Sequence, residues 1–461
     1  MQQETTTIFE PFKIKMVEPL PILSPEERKV RIKEAHFNLF CLPSKYVTFD
    51  FLTDSGTSAM SAEQWAGMIR GDESYAGSPS FEKFEAVVGG VTGMPYVIPT
   101  HQGRAAEALL MRAMIQEGQI VIGNTHFDTT RANIQDAGAE ALDLPDPGTL
   151  NSDKFAPFKG NIDLGRLKEI LAGRGLGKVA ALIMTVTNNS VGGQPVSMEN
   201  IRAAKKIVDE YNIPLFIDAA RFAENAYFIK LREPGYENKS VKEIAGELFS
   251  YSDGVLMSSK KDAFGNIGGF LALKNSELAQ KVRSLMVITE GFPTYGGLAG
   301  RDLEALSIGL HEVLDENYLA YRLRSTEYLG KGLADAGLKM VIPFGGHAAY
   351  IDAGATLPHI PPHQFPGQSL SVALYQEIGV RSVEVGTVML GCRDTQTGEE
   401  KLAPKELVRL ALPRRVYTQS HIDYILEQAC RMRRNLEKLR GYAFTYQAPV
   451  LRHFTAHFRE L

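Results

Sequence analysis

The chain has 461 residues, 44% hydrophobic and 23% charged, the composition of an ordinary globular protein, which excludes disorder, collagen-like repeats and a disulfide scaffold together. Its 50 Lys and Arg against 54 Asp and Glu leave a net charge of −4; no basic excess points to nucleic acid and no acidic tail to a solvating role, so a small molecule is the expected partner. Cys41, Cys392 and Cys430 lack C-x-x-C spacing, which suits a reducing cytoplasm. The polar start MQQETTTIFEPFKIK, and longest apolar runs such as Val179 to Met184 that fall far short of a span, predict neither export nor a membrane crossing.

At about 150 residues per domain, two or three domains are expected. From about residue 90 to 275 short apolar runs alternate with helix-periodic stretches, the pattern of a parallel sheet covered by helices. The predicted strands are Tyr96–Thr100, Gln119–Gly123, Ala180–Val186, Pro214–Ala219, Gly254–Met257 and Gly268–Leu273. Between the third and fourth, Ser197 caps a predicted helix with Ile201, Ala204, Ile207 and Val208 on one face, ending near Tyr211. Beyond Leu303 long helical patterns, among them Leu306–Leu319, give way to short segments. Pro343-Phe-Gly-Gly reads as a turn into a strand at His347–Asp352, and Leu357–Pro366 as a loop. The expected class is α/β, a large mostly parallel-sheet domain with a smaller α+β domain.

Some patterns carry little. Gly173-Arg-Gly-Leu-Gly-Lys178 follows a helical stretch instead of a strand and misses both nucleotide-loop spacings, so it reads as a helix C-terminal turn. His359 and His363 are separated by prolines that forbid a shared helix face, and His453 and His457 lack a nearby third ligand. Three patterns carry more. Tyr96-Val-Ile-Pro-Thr-His-Gln-Gly-Arg-Ala-Ala-Glu runs from strand through a small-residue turn into a helix, where backbone N–H groups and the helix dipole favour a phosphate. Asp218 ends a strand at the edge where open α/β sheets bind ligands, and Ser258-Ser-Lys-Lys-Asp follows the next strand. Singly, each also reads as an ordinary helix start, a helix cap and a solvated lysine pair. Together they supply the anion site, ring-nitrogen acid and amine that pyridoxal phosphate requires.

Leu52-Thr-Asp-Ser-Gly-Thr57, Gly71-Asp-Glu-Ser-Tyr-Ala-Gly-Ser78, Pro99-Thr-His-Gln-Gly-Arg104, Gly192-Gly-Gln-Pro-Val-Ser197, Glu224-Asn-Ala-Tyr-Phe-Ile-Lys230, Pro293-Thr-Tyr-Gly-Gly297 and Leu451-Arg-His-Phe-Thr-Ala456 occur in this order. From about Glu10 to the C-terminus the chain closely resembles the tryptophanase and tyrosine phenol-lyase family. The resemblance implies the type I pyridoxal-phosphate fold of aspartate aminotransferase, with an N-terminal arm and part of the small domain in 1–56, the large cofactor domain in 57–310 and the small domain in 311–461. It also implies a homotetramer and a monovalent cation such as potassium. Lys261 corresponds to the Schiff-base lysine, Asp218 to the pyridinium partner, and Gln102, Gly103, Arg104 and Ser258 to phosphate ligands. Phe127 would stack on the ring and Arg221 lie near its phenolic oxygen. Thr53, Asn189 and Arg409 would hold the substrate carboxylate, with Phe292 also on the substrate side, and Lys260 and Tyr295 match other active-site positions. Gly56, Glu73 and Asn266 match the cation site. One departure is visible: Ala105 stands where the family has glycine, which suits a residue already helical and strains one that needs positive φ.

Phenol-releasing members of the family resemble Phe-Thr-Thr-Thr, Met-Glu-Arg-Gly and Arg-Phe-Phe-Thr at three places that here read Phe127-Asp-Thr-Thr, Val383-Glu-Val-Gly and Arg452-His-Phe-Thr. The resemblance therefore implies elimination of indole from tryptophan: Val385 offers apolar contact where a phenol needs a cation, and Asp128 can accept the indole N–H and favour the charge that develops on C3 protonation. Lys261 would take the α-proton, and Tyr75, with Asp128 and His453 in support, would protonate the leaving indole. Elimination of phenol from tyrosine, another pyridoxal-phosphate lyase or aminotransferase, and a non-catalytic binding protein are the alternatives.

Overall fold

The computed structural model describes residues 8–174, 177–393, 400–449 and 451–461. They form two compact units: Ser55–Thr149 with Ala156–Leu323 and a short N-terminal piece, and Phe12–Asp54 with Leu150–Phe155 and Arg324–Leu461.

The first unit is built on a seven-stranded sheet of β1 (Tyr96–Thr100), β2 (Ile120–Gly123), β3 (Glu140–Asp143), β4 (Val179–Thr185), β5 (Leu215–Asp218), β6 (Gly254–Ser258) and β7 (Gly269–Leu273), in the order β1-β7-β6-β5-β4-β2-β3. All neighbours pair in parallel except β7, which runs against both β6 and β1. Side chains on a strand alternate between faces, and here both faces are buried, so the strands read as unbroken apolar runs. Along β4, Leu182 and Met184 enter one hydrophobic cluster with Phe84, Val88 and Ile201, while Ala181 and Ile183 enter the other with Ile98, Leu109 and Phe216. The six predicted strands are all present, with ends shifted by about a residue. The seventh, β3, is an edge strand of sequence EALD that is largely half-exposed; lacking an apolar run, it carries no strand signal.

The predicted cap at Ser197 forms: its Oγ accepts from Asn200 N at 3.1 Å, and the helix Met198–Asp209 buries Ile201, Ala204, Ile207 and Val208. The predicted continuous helix Leu306–Leu319 does not form. The chain folds as Gly300–Glu312 and Glu316–Asp335, because Asp315 Oδ1 accepts from Asn317 N at 2.7 Å and Tyr318 N at 3.1 Å and so starts a new helix inside the apolar pattern. The turn expected at Gly173–Lys178 follows the helix Leu164–Arg174, but Gly175 and Leu176 lie outside the described residues.

In the second unit a three-stranded antiparallel sheet of β8 (Ala348–Asp352), β9 (Val383–Val385) and β10 (Leu407–Ala411) has β10 in the middle. Phe49–Asp50 pairs in parallel with Val380–Arg381, which carries the early segment into the core of Leu329, Leu333, Ile351, Leu370, Leu374 and Val408. The Arg381 guanidinium pairs with Asp50 and donates to Leu42 O at 2.9 Å. Among the described residues no helix is long and apolar enough to cross a membrane.

Candidate active site

The anion-binding turn lies where β1 passes into α1 (Gly103–Met114), with Gln102 extended at its N-cap. A Cβ on Gly103 would sit 2.7 Å from Ser258 Cβ, and one on Gly269 would sit 2.6 Å from the Gln102 carbonyl carbon. The glycines thus let the helix start settle directly on the ends of β6 and β7. Lys260 Nζ donates to Gln102 Oε1 at 3.4 Å; burial, reinforced by the Arg104 charge, pushes the Lys260 amine below its ordinary value. Two cations and a helix N-terminus therefore converge with Gln102 and Ser258. Ala105 is inside α1 and outside the positive-φ residues, so the residue that replaces the family glycine favours the helix.

At the end of β5, Asp218 accepts from Ala220 N at 3.2 Å. Burial raises its carboxyl above the ordinary value, while the neighbouring Lys261 and Arg221 charges oppose the rise. Arg221 is buried at the N-cap of the helix Phe222–Arg232. Lys261 is fixed through its neighbours: Asp262 N donates to Ala220 O at 3.3 Å, Asp262 Oδ2 accepts from Ala223 N at 2.9 Å, and Gly56 N donates to Lys260 O at 2.8 Å. Capping of the Phe222 helix by Asp262 thereby ties the lysine segment to the turn that follows Asp218.

Glu107, which the reading of single residues passed over, belongs to this group. Its carboxyl is pushed up to about 7, first by burial and then by Asp218, with Thr130, Thr129 and Lys261 acting the other way. It accepts from Thr129 Oγ1 and Thr130 Oγ1, each at 2.8 Å, and so ties α1 to the first turn of α2 (Asp128–Asp136), whose N-cap is Phe127. The signal in the sequence was the glutamate that closes Gln-Gly-Arg-Ala-Ala-Glu. Asp128 Oδ1 accepts from Thr129 N at 2.6 Å. The preceding turn is held from below, where Asp143 Oδ1 accepts from His126 N at 2.9 Å and contacts His126 Nδ1 at 2.7 Å, and Asp143 pairs with Arg131. Asn189 is buried at the start of a short 3₁₀ turn.

Tyr75 is 67% exposed and packs on Phe292 and Tyr295 at ring separations of 5.1 and 5.5 Å. Thr294 Oγ1 donates to Tyr75 O at 2.9 Å, and the neighbouring Tyr295 phenol raises the Tyr75 phenol above its ordinary value. Asn266 Nδ2 donates to Gly56 O at 3.1 Å, so two of the three candidate cation ligands meet; Glu73 is exposed and makes no hydrogen bond or ion pair with the described residues.

The remaining predicted residues belong to the second unit. Arg409 on β10 lies in register between Val383 and Tyr350, and its Nη2 donates to Leu52 O at 3.2 Å, beside Thr53. Val385 is buried opposite Leu407, in a cluster with Val341, Tyr350 and Met389. His453 is buried in the turn Arg452–Phe454, with its ring 5.6 Å from that of Phe40 and its carbonyl accepting from Asn38 Nδ2 at 3.1 Å. His457 stacks on His36 at 3.8 Å.

The first unit's set fits pyridoxal phosphate. The close-packed helix start with Arg104 and Lys260 suits a phosphate, Asp218 suits a protonated ring nitrogen, and Lys261 lies within electrostatic reach of Asp218. The fold is the α/β fold of the aspartate aminotransferase type: the solved aspartate aminotransferase of Thermotoga maritima superposes with a TM-score of 0.58 at 12% identity, over 89% of this chain and 97% of its own. The β-eliminating lyase family model matches residues 50–428. A tryptophanase of Salinibacter ruber is 56% identical over 98% of this chain and 96% of its own, and a tyrosine phenol-lyase of Symbiobacterium thermophilum is 46% identical over 98% of each. The chain belongs to the β-eliminating lyase family.

Proposed function

We propose that this chain catalyses the pyridoxal-phosphate-dependent β-elimination of L-tryptophan to indole, pyruvate and ammonia. The observation that carries the reading is the junction of Asp218, Lys261 and Glu107 beside the α1 N-terminus, in a chain 56% identical to a tryptophanase. When bound, pyridoxal phosphate supplies an aldehyde for amines and an electron-poor ring that accepts the electron pair left at the substrate α-carbon. The Gln102–Arg104 turn, Ser258 and Lys260 would hold its phosphate, and Phe127 and Arg221 would hold its ring. Asp218 keeps a proton on the ring nitrogen. Lys261 Nζ moves the α-proton, and Thr53, Asn189 and Arg409 orient the substrate carboxylate.

The choice of indole over phenol rests on Asp128 and Val385. A carboxylate at the start of α2 accepts the indole N–H and favours positive charge at C3, with Tyr75 as proton donor and Phe292 and His453 on the substrate side. Val385 carries no charge for a phenolate, which disfavours the phenol-lyase reading despite 46% identity. Gly56, Asn266 and Glu73 are proposed to hold a potassium ion, and the working form is proposed to be a cytoplasmic homotetramer acting in tryptophan breakdown. The test supplies tryptophan and tyrosine separately and measures indole, phenol and pyruvate; faster phenol release would replace this reading. Asp128→Ala should reduce tryptophan turnover more than elimination from an S-alkylcysteine, whose thiolate leaves without ring protonation. Equal losses would make Asp128 a support of the cofactor pocket alone.

A further inference from the structure

Glu384 on β9 and Glu406, which immediately precedes β10, are each 5% exposed. In the antiparallel register Glu384 faces Val408, so the two glutamates are diagonal neighbours on one face of the sheet. Gly386 lies between their carboxyl groups. A Cβ there would sit 2.6 Å from Glu384 Oε1 and 2.6 Å from Glu406 Oε2, so the missing side chain is the space that both oxygens use. Glu384 Oε1 accepts from Val388 N at 3.0 Å and Oε2 from Met389 N at 2.9 Å. Glu406 Oε1 accepts from Thr387 N at 3.1 Å and from Thr387 Oγ1, whereas its buried Oε2, on the side of Gly386 that Glu384 shares, has no hydrogen-bond partner among the described residues.

The charges around the pair do not neutralise it. Asp352, at the end of β8, adds a third negative charge and pairs with Lys405 at 3.5 Å. Arg452 spends its guanidinium on Glu400 and on the carbonyls of Val388 and Thr387. The first turn of the helix Pro366–Ile378 packs on Glu384 through Gly367, and Asn38, Gln368 and His453 line the cavity beside it. Two carboxylates this close in a dry place cannot both ionise cheaply. Burial and the Glu406 charge push Glu384 up to about 8; burial pushes Glu406 up to about 7.

We propose that Glu384 and Glu406 share one proton at neutral pH, and that the resulting acid–carboxylate bond is the positioning device for the Val385–Met389 turn. All four Glu oxygens then have donors, and each glutamate holds part of the turn that begins at Val385. The consequence for substrate choice rests on the reading of Val385 given above; the shared proton does not.

The pair raises the pKa of groups that are fully ionised when unfolded, so folding stability falls as pH rises from about 4.5 through about 8. Glu384→Gln or Glu406→Gln replaces the shared proton with an amide N–H and should flatten that fall, measured as Tm against pH. Difference infrared spectra of the native holoenzyme near neutral pH should contain the carbonyl stretch of a neutral carboxylic acid that both variants lose. The native preference for tryptophan over S-alkylcysteine should decline at alkaline pH, by about tenfold or more as the turn loosens, and the Gln variants should keep it. Absence of the acid band, or an unaltered Tm profile in both variants, overturns the shared proton. A band without any alkaline decline in the preference overturns the positioning role, while tryptophan turnover by the native enzyme independently tests the proposed function.

Discussion

Gly103→Ala isolates the contact between the phosphate turn and the sheet. The new methyl would lie 2.7 Å from Ser258 Cβ, 3.0 Å from its Cα and 3.1 Å from its N. Two of these are backbone atoms of β6, which is paired on both sides, so the helix start must give way, by up to about 0.7 Å to restore an ordinary contact. Without cofactor the helix can retreat at modest cost. With cofactor the N–H groups must meet the phosphate, so the overpacking cost of about 1–3 kcal/mol falls on the bound state. That corresponds to about ten- to hundredfold weaker binding. The assay is an absorbance titration of cofactor-free protein with pyridoxal phosphate, run beside Ala105→Gly, which costs helix stability of about 1 kcal/mol and adds no atom against the sheet. Native affinity in Gly103→Ala, or equal weakening in Ala105→Gly, would refute the argument.

Lys261→Ala should abolish turnover and the visible absorbance of lysine-bound cofactor, while Lys260→Ala keeps the absorbance; borohydride trapping on Lys260 would reverse the assignment. Potassium and ammonium should activate more than sodium through the oxygen set around Gly56 and Asn266, and equal rates in all three salts would remove the cation site. At Asp72, burial works against the charged form, but hydrogen bonds from Ser78, Ser80 and Ser74 outweigh it and hold the carboxyl well below its ordinary 3.8. The stability this supplies is present above that value and is lost as pH falls below it. Asp72→Asn should therefore lower Tm at neutral pH, with a gap that closes on acidification; a constant gap would refute the assignment.

What the sequence revealed follows burial. β4 and β5 were legible because strands covered on both faces must be apolar along their length, and the helix behind Ser197 because its cap and its stripe agree. β3 was not, since an edge strand of EALD has nothing to bury. The break at Asp315 was hidden because one capping side chain overrode a continuing apolar period. Among site residues, Lys261 and Asp218 sat at strand ends where position itself is informative. Glu107, Glu384 and Glu406 carry no signal of their own, because a glutamate's place in the chain does not tell whether it is buried: only the fold brings Glu107 to Asp218, or sets Glu384 and Glu406 either side of a glycine. Asp262 was invisible for the same reason, because its partner N–H belongs to a helix that begins at Phe222, far along the chain.

The reversal of β7 has a consequence for motion. The lysine segment leaves the sheet at Ser258 and returns at Gly269, and those two residues are themselves paired. Inside the loop, Ser259 N donates to Gly268 O at 3.0 Å, Phe264 N to Lys261 O at 3.0 Å and Gly265 N to Ser259 O at 3.1 Å. Its backbone is latched at both ends and across its middle. The amine therefore travels by rotation about its own four methylene bonds, on the picosecond-to-nanosecond scale of side chains, instead of by the microsecond-to-millisecond opening of a loop. Amide exchange across the segment should be as slow as in the strands that flank it.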